Sequence, residues 1–210
     1  MKTVDAKAIR FLYKDKAYPI LDDVYLELEK SQISAITGPS GCGKSTLGYC
    51  LAGIIPRLIG GIFSGEVILN GKVGFVFQNS DEQIFLPTVE DELAFGPENL
   101  CLSRDEIGER IKTVLEWTGL TELRQKNPTK LSGGQKQLVA LAGVMSLYPE
   151  ILVLDETLSQ LDLEAKERIK LVLLELKKKG TTIIMIEHEK KNFNIADQVF
   201  LLNQGKLKRV

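Results

Sequence analysis

The sequence predicts an α/β fold, a mostly parallel sheet covered by helices on both faces, with a helical block inserted into it. Three observations carry this prediction. Continuous apolar runs at 33–37, 151–154 and 181–186 have the character of strands buried on both faces rather than on one. Amphipathic or charged helical stretches alternate with those runs, as crossover connections require. From about 88 to 148 the apolar residues recur at helical intervals, with no strand among them.

Bulk properties set the bounds. A chain of 210 residues suits one domain, or one domain with a subdomain. With 44% hydrophobic and 26% charged residues it has the composition of a soluble globular protein with a sizeable core. The net charge of -1 supplies no basic field, so no nucleic-acid partner is expected. The 3 cysteines, Cys42, Cys50 and Cys101, show no paired spacing, which points to neither a disulfide framework nor a zinc site and makes a reducing cytosol the default. No signal-peptide core stands at the N-terminus. No segment reaches the roughly 18 apolar residues that span a bilayer. Any membrane role is therefore expected to be peripheral, through a partner.

The elements follow in order. Residues 2–13 and 20–29 read as two strands joined by the polar turn 14–19, which holds Pro19; residues 24–29 alternate at period two. The apolar run 33–37 is a buried strand, and 47–52 reads as a helix. Residues 53–63 read as a connector. Residues 65–71 are a strand ending in the Asn70-Gly71 turn, with 73–77 as the expected hairpin partner. Glu90, Asp91 and Glu92 load the first turn of a helix with negative charge. Ser103 and Glu106 have capping-box spacing, Ile107, Ile111, Val114 and Leu115 follow at helical intervals, and Gly119 stops that helix. A further helix runs from about Gly134 to Leu147. The strand 151–156 ends in two carboxylates. Residues 163–179 form a charged amphipathic helix closed by Gly180, strand 181–186 ends at Glu187-His188, and a last strand spans 197–202 before a terminal turn at 203–205.

The stretch Gly38-Pro39-Ser40-Gly41-Cys42-Gly43-Lys44-Ser45-Thr46 lies between a strand and a helix. That context separates a phosphate-binding loop from a chance glycine-rich turn. The glycines let successive N–H groups face one concavity, and the helix beginning near Lys44 adds its positive end. Lys44 then reaches the β- and γ-phosphates of a nucleoside triphosphate, and the Ser45 hydroxyl binds Mg²⁺. Cys42 reads as a small residue that fits the loop. Asp155 and Glu156 stand at the carboxyl end of a buried strand, where open α/β sheets bind ligands. Asp155 can hold Mg²⁺ with Ser45, which leaves Glu156 to take a proton from the attacking water or orient it. His188, the only histidine, follows an apolar strand, where its side chain can meet the γ-phosphate or the water. Gln78, at a strand end, can coordinate Mg²⁺ or water and shift when the γ-phosphate is lost. Ser132, Gly133, Gly134 and Gln135 build a second capped helix start suited to phosphate.

Together these motifs resemble those of the ATP-binding cassette (ABC) ATPases. Residues 38–46 look like Walker A, 151–156 like Walker B with its catalytic glutamate, and 131–135 like the ABC signature. Gln78 matches the Q-loop, residues 159–162 with Asp162 the D-loop, His188 the switch histidine, and Tyr13 the aromatic that stacks on adenine. The resemblance covers essentially the whole chain. Segments 77–85, 88–96, 98–100 and 186–189 look more particularly like the ATPase components of energy-coupling factor (ECF) and cobalt-type importers. The chain departs from the pattern at Thr157, Leu138 and Gln160, has a shorter segment at 70–73, and stops where many relatives carry a C-terminal extension.

The resemblance implies a P-loop NTPase core of ABC type with a mostly parallel sheet, an antiparallel β-subdomain and an inserted helical subdomain. It implies one domain over 1–210, with the core at about 1–78 and 149–210 and the helical subdomain at about 79–148. The cofactors are ATP and Mg²⁺, and the signature motif faces the ATP of a second ATPase subunit, identical or a paralogue, with Asp162 communicating across that interface. The other implied partners are a transmembrane coupling protein and a substrate-binding membrane protein, at the cytoplasmic face of the membrane. The alternative is a soluble ABC ATPase acting in DNA repair, translation or cluster assembly. A kinase or GTPase is opposed by the signature motif and by the lack of an Asn-Lys-x-Asp guanine reader.

Overall fold

The computed structural model describes residues 2–210, the Lys190 side chain excepted. It divides into two compact units. The first takes the residues up to Phe75 together with Glu150–Asp155 and Leu176–Val210, and the second takes Val76–Pro149 and Glu156–Glu175.

In the first unit, strands β1 (Lys2–Tyr13), β2 (Leu21–Glu29) and β4 (Gly61–Leu69) form an antiparallel sheet in the order β2-β1-β4. A six-stranded sheet has the order β5-β6-β7-β3-β8-β9, with β3 at Ile33–Thr37, β5 at Val73–Val76, β6 at Ile151–Asp155, β7 at Thr182–Ile186, β8 at Gln198–Asn203 and β9 at Lys206–Arg209. Strand β7 runs parallel to both β6 and β3, and β3 runs parallel to β8. Every residue of β6 and β7 is buried, as their unbroken apolar runs predict. Helix α1 (Lys44–Leu51) packs on β6 and β7. Gly48 allows that approach, because a Cβ there would stand 2.6 Å from Ile186 Cδ1.

The expected hairpin of 65–71 with 73–77 does not form. Strand β4 pairs with β1, and β5 pairs with β6 in the other sheet. The Asn70 N–H donates to Thr3 O at 2.9 Å and its Nδ2 to Lys2 O at 2.9 Å, so Asn70 closes the β1–β4 ladder. Gly71 (φ 144) then redirects the chain. The two strands belong to different layers because β4 is half exposed whereas residues 74–76 are buried. Two boundaries also shift: β4 begins inside the expected connector, and the terminal turn leads into β9, an antiparallel strand too charged to be seen by its hydrophobicity.

The second unit is helical: α2 (Val89–Asn99), α3 (Arg104–Thr118), α4 (Gly133–Met145) and α5 (Leu163–Lys178) up to Glu175. Its caps follow the sequence signals. Thr88 Oγ1 accepts from the Asp91 N–H (3.1 Å) and Ser103 Oγ from the Glu106 N–H (3.3 Å), while Gly119 ends α3 at φ 71. Ile111, Val114 and Leu115 are buried. Arg110 of α3 ties down the end of α4: Nη1 donates to Ser146 O at 3.0 Å, and the guanidinium stacks 4.4 Å from the Tyr148 ring centre. No helix among the described residues is long and apolar enough to cross a membrane.

Candidate functional site

In the first unit, β3, β6 and β7 end level. Ile36 pairs with Ile186, and Asp155 pairs with Ile186. The loop after β3, the carboxylate ending β6 and the Glu187-His188 segment after β7 therefore share one edge of the sheet.

The loop 38–43 curls between β3 and α1, with Gly38, Gly41 and Gly43 at φ 156, 74 and 102. A Cβ at Gly38 would stand 2.2 Å from Leu202 O, and one at Gly43 2.9 Å from Ile20 Cγ1, so the curl is closed to larger residues at both ends. Lys44 is buried. Its Nζ donates to Gly38 O (3.1 Å) and Pro39 O (3.2 Å), the carbonyls of its own loop. The ammonium thus lies inside the curl with no carboxylate partner among the described residues, as an anion site requires. Gly43 caps α1 with no side-chain hydrogen bond, which leaves the first-turn N–H groups for a ligand. Ser40 and Gly41 are exposed, Cys42 and Ser45 half-buried, and Thr46 buried.

Tyr13 meets this loop's helix. Its hydroxyl is hydrogen-bonded to Thr46 Oγ1 at 3.0 Å, and its ring stands edge-on to Phe11 at 4.8 Å. Sequence reasoning assigned the ring and missed the hydroxyl. Asp155 is fully buried. Glu187 is also buried: its N–H donates to Ile36 O (3.0 Å), and its carboxylate accepts from Asn192 Nδ2 (3.1 Å). Glu187 anchors the segment on which His188 stands exposed, a role no local pattern announces. Burial pushes the Cys50 thiol of α1 up to about 12, so it stays protonated at neutral pH.

In the second unit, Glu156 sits at φ 48, left-handed backbone that costs a residue with a Cβ on the order of 1–3 kcal/mol. Its Oε2 accepts from Gln78 Nε2 at 2.7 Å, and its carbonyl accepts from Ser159 Oγ at 2.6 Å. Asp162 is exposed and its Oδ1 accepts from the Ala165 N–H at 2.9 Å, which makes it the cap of α5.

Ser132 and Gln135 form a reciprocal box at the head of α4. Ser132 Oγ accepts from the Gln135 N–H (3.3 Å) and Gln135 Oε1 from the Ser132 N–H (3.1 Å). Ser132 and Gly133 are exposed, and a Cβ at Gly134 would stand 3.3 Å from Gln160 O. Three further contacts escaped the sequence reading: Gln137 Nε2 donates to Phe77 O (3.0 Å), Lys136 pairs with Asp81 (2.8 Å), and Glu92, read only as a first-turn charge, accepts at Oε1 from the Phe85 and Leu86 N–H groups.

No group of three or more His, Cys, Asp and Glu residues gathers as a metal cage among the described residues. A hydroxyl at Ser45 and a carboxylate at Asp155 fit instead an ion that keeps waters and substrate phosphates as ligands, as Mg²⁺ does.

A profile described as ABC transporter matches residues 21–159. The chain is 40% identical over 219 residues to a putative ABC transporter ATP-binding protein of Methanosarcina acetivorans, covering 97% of this chain and 34% of that protein. It thus spans about a third of the length of the first curated relatives it matches. It is also 40% identical over 218 residues to the energy-coupling factor transporter ATP-binding protein EcfA of Methanococcus maripaludis, covering 99% of this chain and 78% of that one. Among solved structures it is similar to cbiO1 from Clostridium perfringens, part of the ABC transporter complex cbiONQ. There the TM-score is 0.84 and the identity 30%, with coverage of 99% of this chain and 87% of that chain.

Proposed function

The chain belongs to the ABC transporter family, and on that premise we propose that it binds and hydrolyses ATP to power solute import by an ECF-type membrane transporter. The observation that carries this reading is the level ending of β3, β6 and β7, with the Lys44 loop, Asp155 and His188 at one sheet edge.

In this reading Lys44 and the N–H groups of Ser40, Gly41, Cys42, Gly43, Ser45 and Thr46 hold the phosphates, with Gly38 keeping the curl open to them. Tyr13 stacks on adenine. Ser45, Asp155 and Gln78 would hold Mg²⁺, which when bound offsets charge on the β- and γ-phosphates. Glu156 orients the attacking water and accepts its proton, and His188 contacts the γ-phosphate. Ser132, Gly133, Gly134 and Gln135 cover the ATP of a second ATPase subunit, an identical chain or a paralogue, and Asp162 communicates across that interface. The whole chain acts as one domain, with a core at about 1–78 and 149–210 and a helical subdomain at about 79–148.

A membrane coupling protein is the partner for the helical unit. A groove of about 300 Å³ there is lined by Phe85, Phe95, Gly96, Gly143, Val144 and Leu147. Phe85 and Phe95 in this lining pack edge-on, 63% and 44% exposed, and such paired exposed aromatics suit a protein contact. The EcfA and cbiO1 relatives, named for transporter complexes, favour this over a soluble ATPase without a membrane partner. The chain then sits at the cytoplasmic face of the membrane, beside a coupling protein and a substrate-binding membrane protein.

The test is phosphate release from ATP and Mg²⁺ by the purified chain, alone and with its co-purified membrane proteins. The wild type should release phosphate and Lys44→Ala should not. Equal release from both would remove the Lys44 loop from the chemistry.

A further inference from the structure

We propose that Gln137 is a positioning residue that locks the Gln78 segment to the head of α4, so that the Ser132 end of that helix responds to what Gln78 binds. The inference rests on the roles given above to Gln78 and Ser132.

Gln137 is 1% exposed and lies five residues after the cap Ser132. Its Nε2 donates at 3.0 Å to the carbonyl of Phe77, the carbonyl of the peptide group that leads into Gln78. The N–H of the same Phe77 donates to Gln83 Oε1 at 2.8 Å. Two glutamine side chains therefore hold the residue before Gln78 at both of its backbone polar groups.

The segment beyond is held as well. Asn79 Oδ1 accepts from the Asp81 N–H at 3.2 Å, Asp81 pairs with Lys136 of α4, and Glu92 holds the Phe85 and Leu86 N–H groups. Two consecutive residues of α4, Lys136 and Gln137, thus grip both sides of Gln78. The Ser132–Gln135 box closes the turn just before them.

The two grips differ in strength. Lys136 pairs with an Asp81 side chain that is 66% exposed, where water and salt compete. The Gln137 side chain is buried, so breaking its bond would leave the amide donor with no water to take the place of the Phe77 carbonyl. Movement of the Phe77–Gln78 peptide is then passed to α4 at Gln137, about 8 Å along the axis from Ser132 at 1.5 Å per residue.

A double-mutant cycle tests this with Gln78→Ala and Gln137→Met, reading kcat and KM for ATP together with the thermal midpoint. Gln137→Met keeps the side-chain length and removes the donor. The expected result is a fall in kcat of about 5- to 10-fold with KM within twofold, and a double variant no slower than Gln78→Ala alone. Wild-type kcat in Gln137→Met, or effects that multiply in the double variant, would overturn the link. Should Gln137→Met fail to fold, hydrogen exchange in Gln78→Ala replaces the cycle. Amides of 133–137 should then exchange several-fold faster than in the wild type, and unchanged exchange would overturn the link. A wild type without any turnover would defeat the ATPase reading while leaving the exchange experiment able to decide on Gln137.

Discussion

Gln78 Nε2 donates a 2.7 Å hydrogen bond to Glu156 Oε2, joining two side chains 78 positions apart. The sequence places Glu156 at the attacking water and Gln78 at either Mg²⁺ or the water, with nothing to join the two. The bond makes the orientation of the proposed base depend on the amide. Gln78→Ala should therefore lower kcat by on the order of tenfold, beyond any effect on metal affinity, and saturating Mg²⁺ should not restore it. Full recovery in high Mg²⁺ would reduce Gln78 to a metal ligand.

Tyr13 separates ring from hydroxyl. Tyr13→Phe keeps the stacking surface and removes the bond to Thr46 Oγ1, so it should cost about 0.5–1.5 kcal/mol of stability and leave ATP affinity within a few-fold. Tyr13→Ala should weaken ATP binding by about tenfold. Thermal unfolding and nucleotide titration distinguish the two variants.

Arg110→Ala removes the donor to Ser146 O and the cation held over Tyr148. It strips one partner from the C-terminal end of α4 and should destabilise the protein by about 2 kcal/mol. Urea unfolding reads this directly, and a variant as stable as the wild type would show that α4 ends securely without Arg110.

Asp197 gives a pH dependence. Burial alone would raise its carboxyl, but the Lys177 ammonium beside it and the Ile33 N–H, which donates at 2.7 Å, together hold it below the usual aspartate range. A folded-state pKa below the unfolded value of about 3.9 stabilises above that value, and the stability is lost as pH falls through the depressed folded pKa. Asp197→Asn should be less stable than the wild type at pH 7, and the gap should close on acidification below about pH 4. A gap that persists in acid would assign the loss to packing rather than charge.

The glycine loop between β3 and α1, the place of Asp155 at the end of β6, and the Ser132-capped start of α4 were legible because each is written locally, in glycines, caps and strand ends a few residues apart. Most of what was missed couples residues far apart in sequence. Gln137 reaches Phe77, Glu187 is anchored by Ile36, and the Tyr13 hydroxyl finds Thr46, none of which a local window contains. The Asn70-Gly71 signal failed for a different reason. A two-residue turn motif says that the chain reverses there, but the pairing partner is set by burial, and residues 74–76 belong to the buried sheet. Asp162 could have been read as a helix cap from its place before a charged amphipathic run.

In the proposed reaction Glu156 performs the hydrolytic step on ATP held by the Lys44 loop. ATP turnover by Glu156→Gln, measured beside nucleotide binding and dimer mass, tests it most directly. The amide keeps the shape at φ 48 and removes the base. Turnover should fall by on the order of 10²-fold or more, with ATP affinity retained and an ATP-stabilised dimer formed. Hydrolysis at the wild-type rate would contradict that role for Glu156.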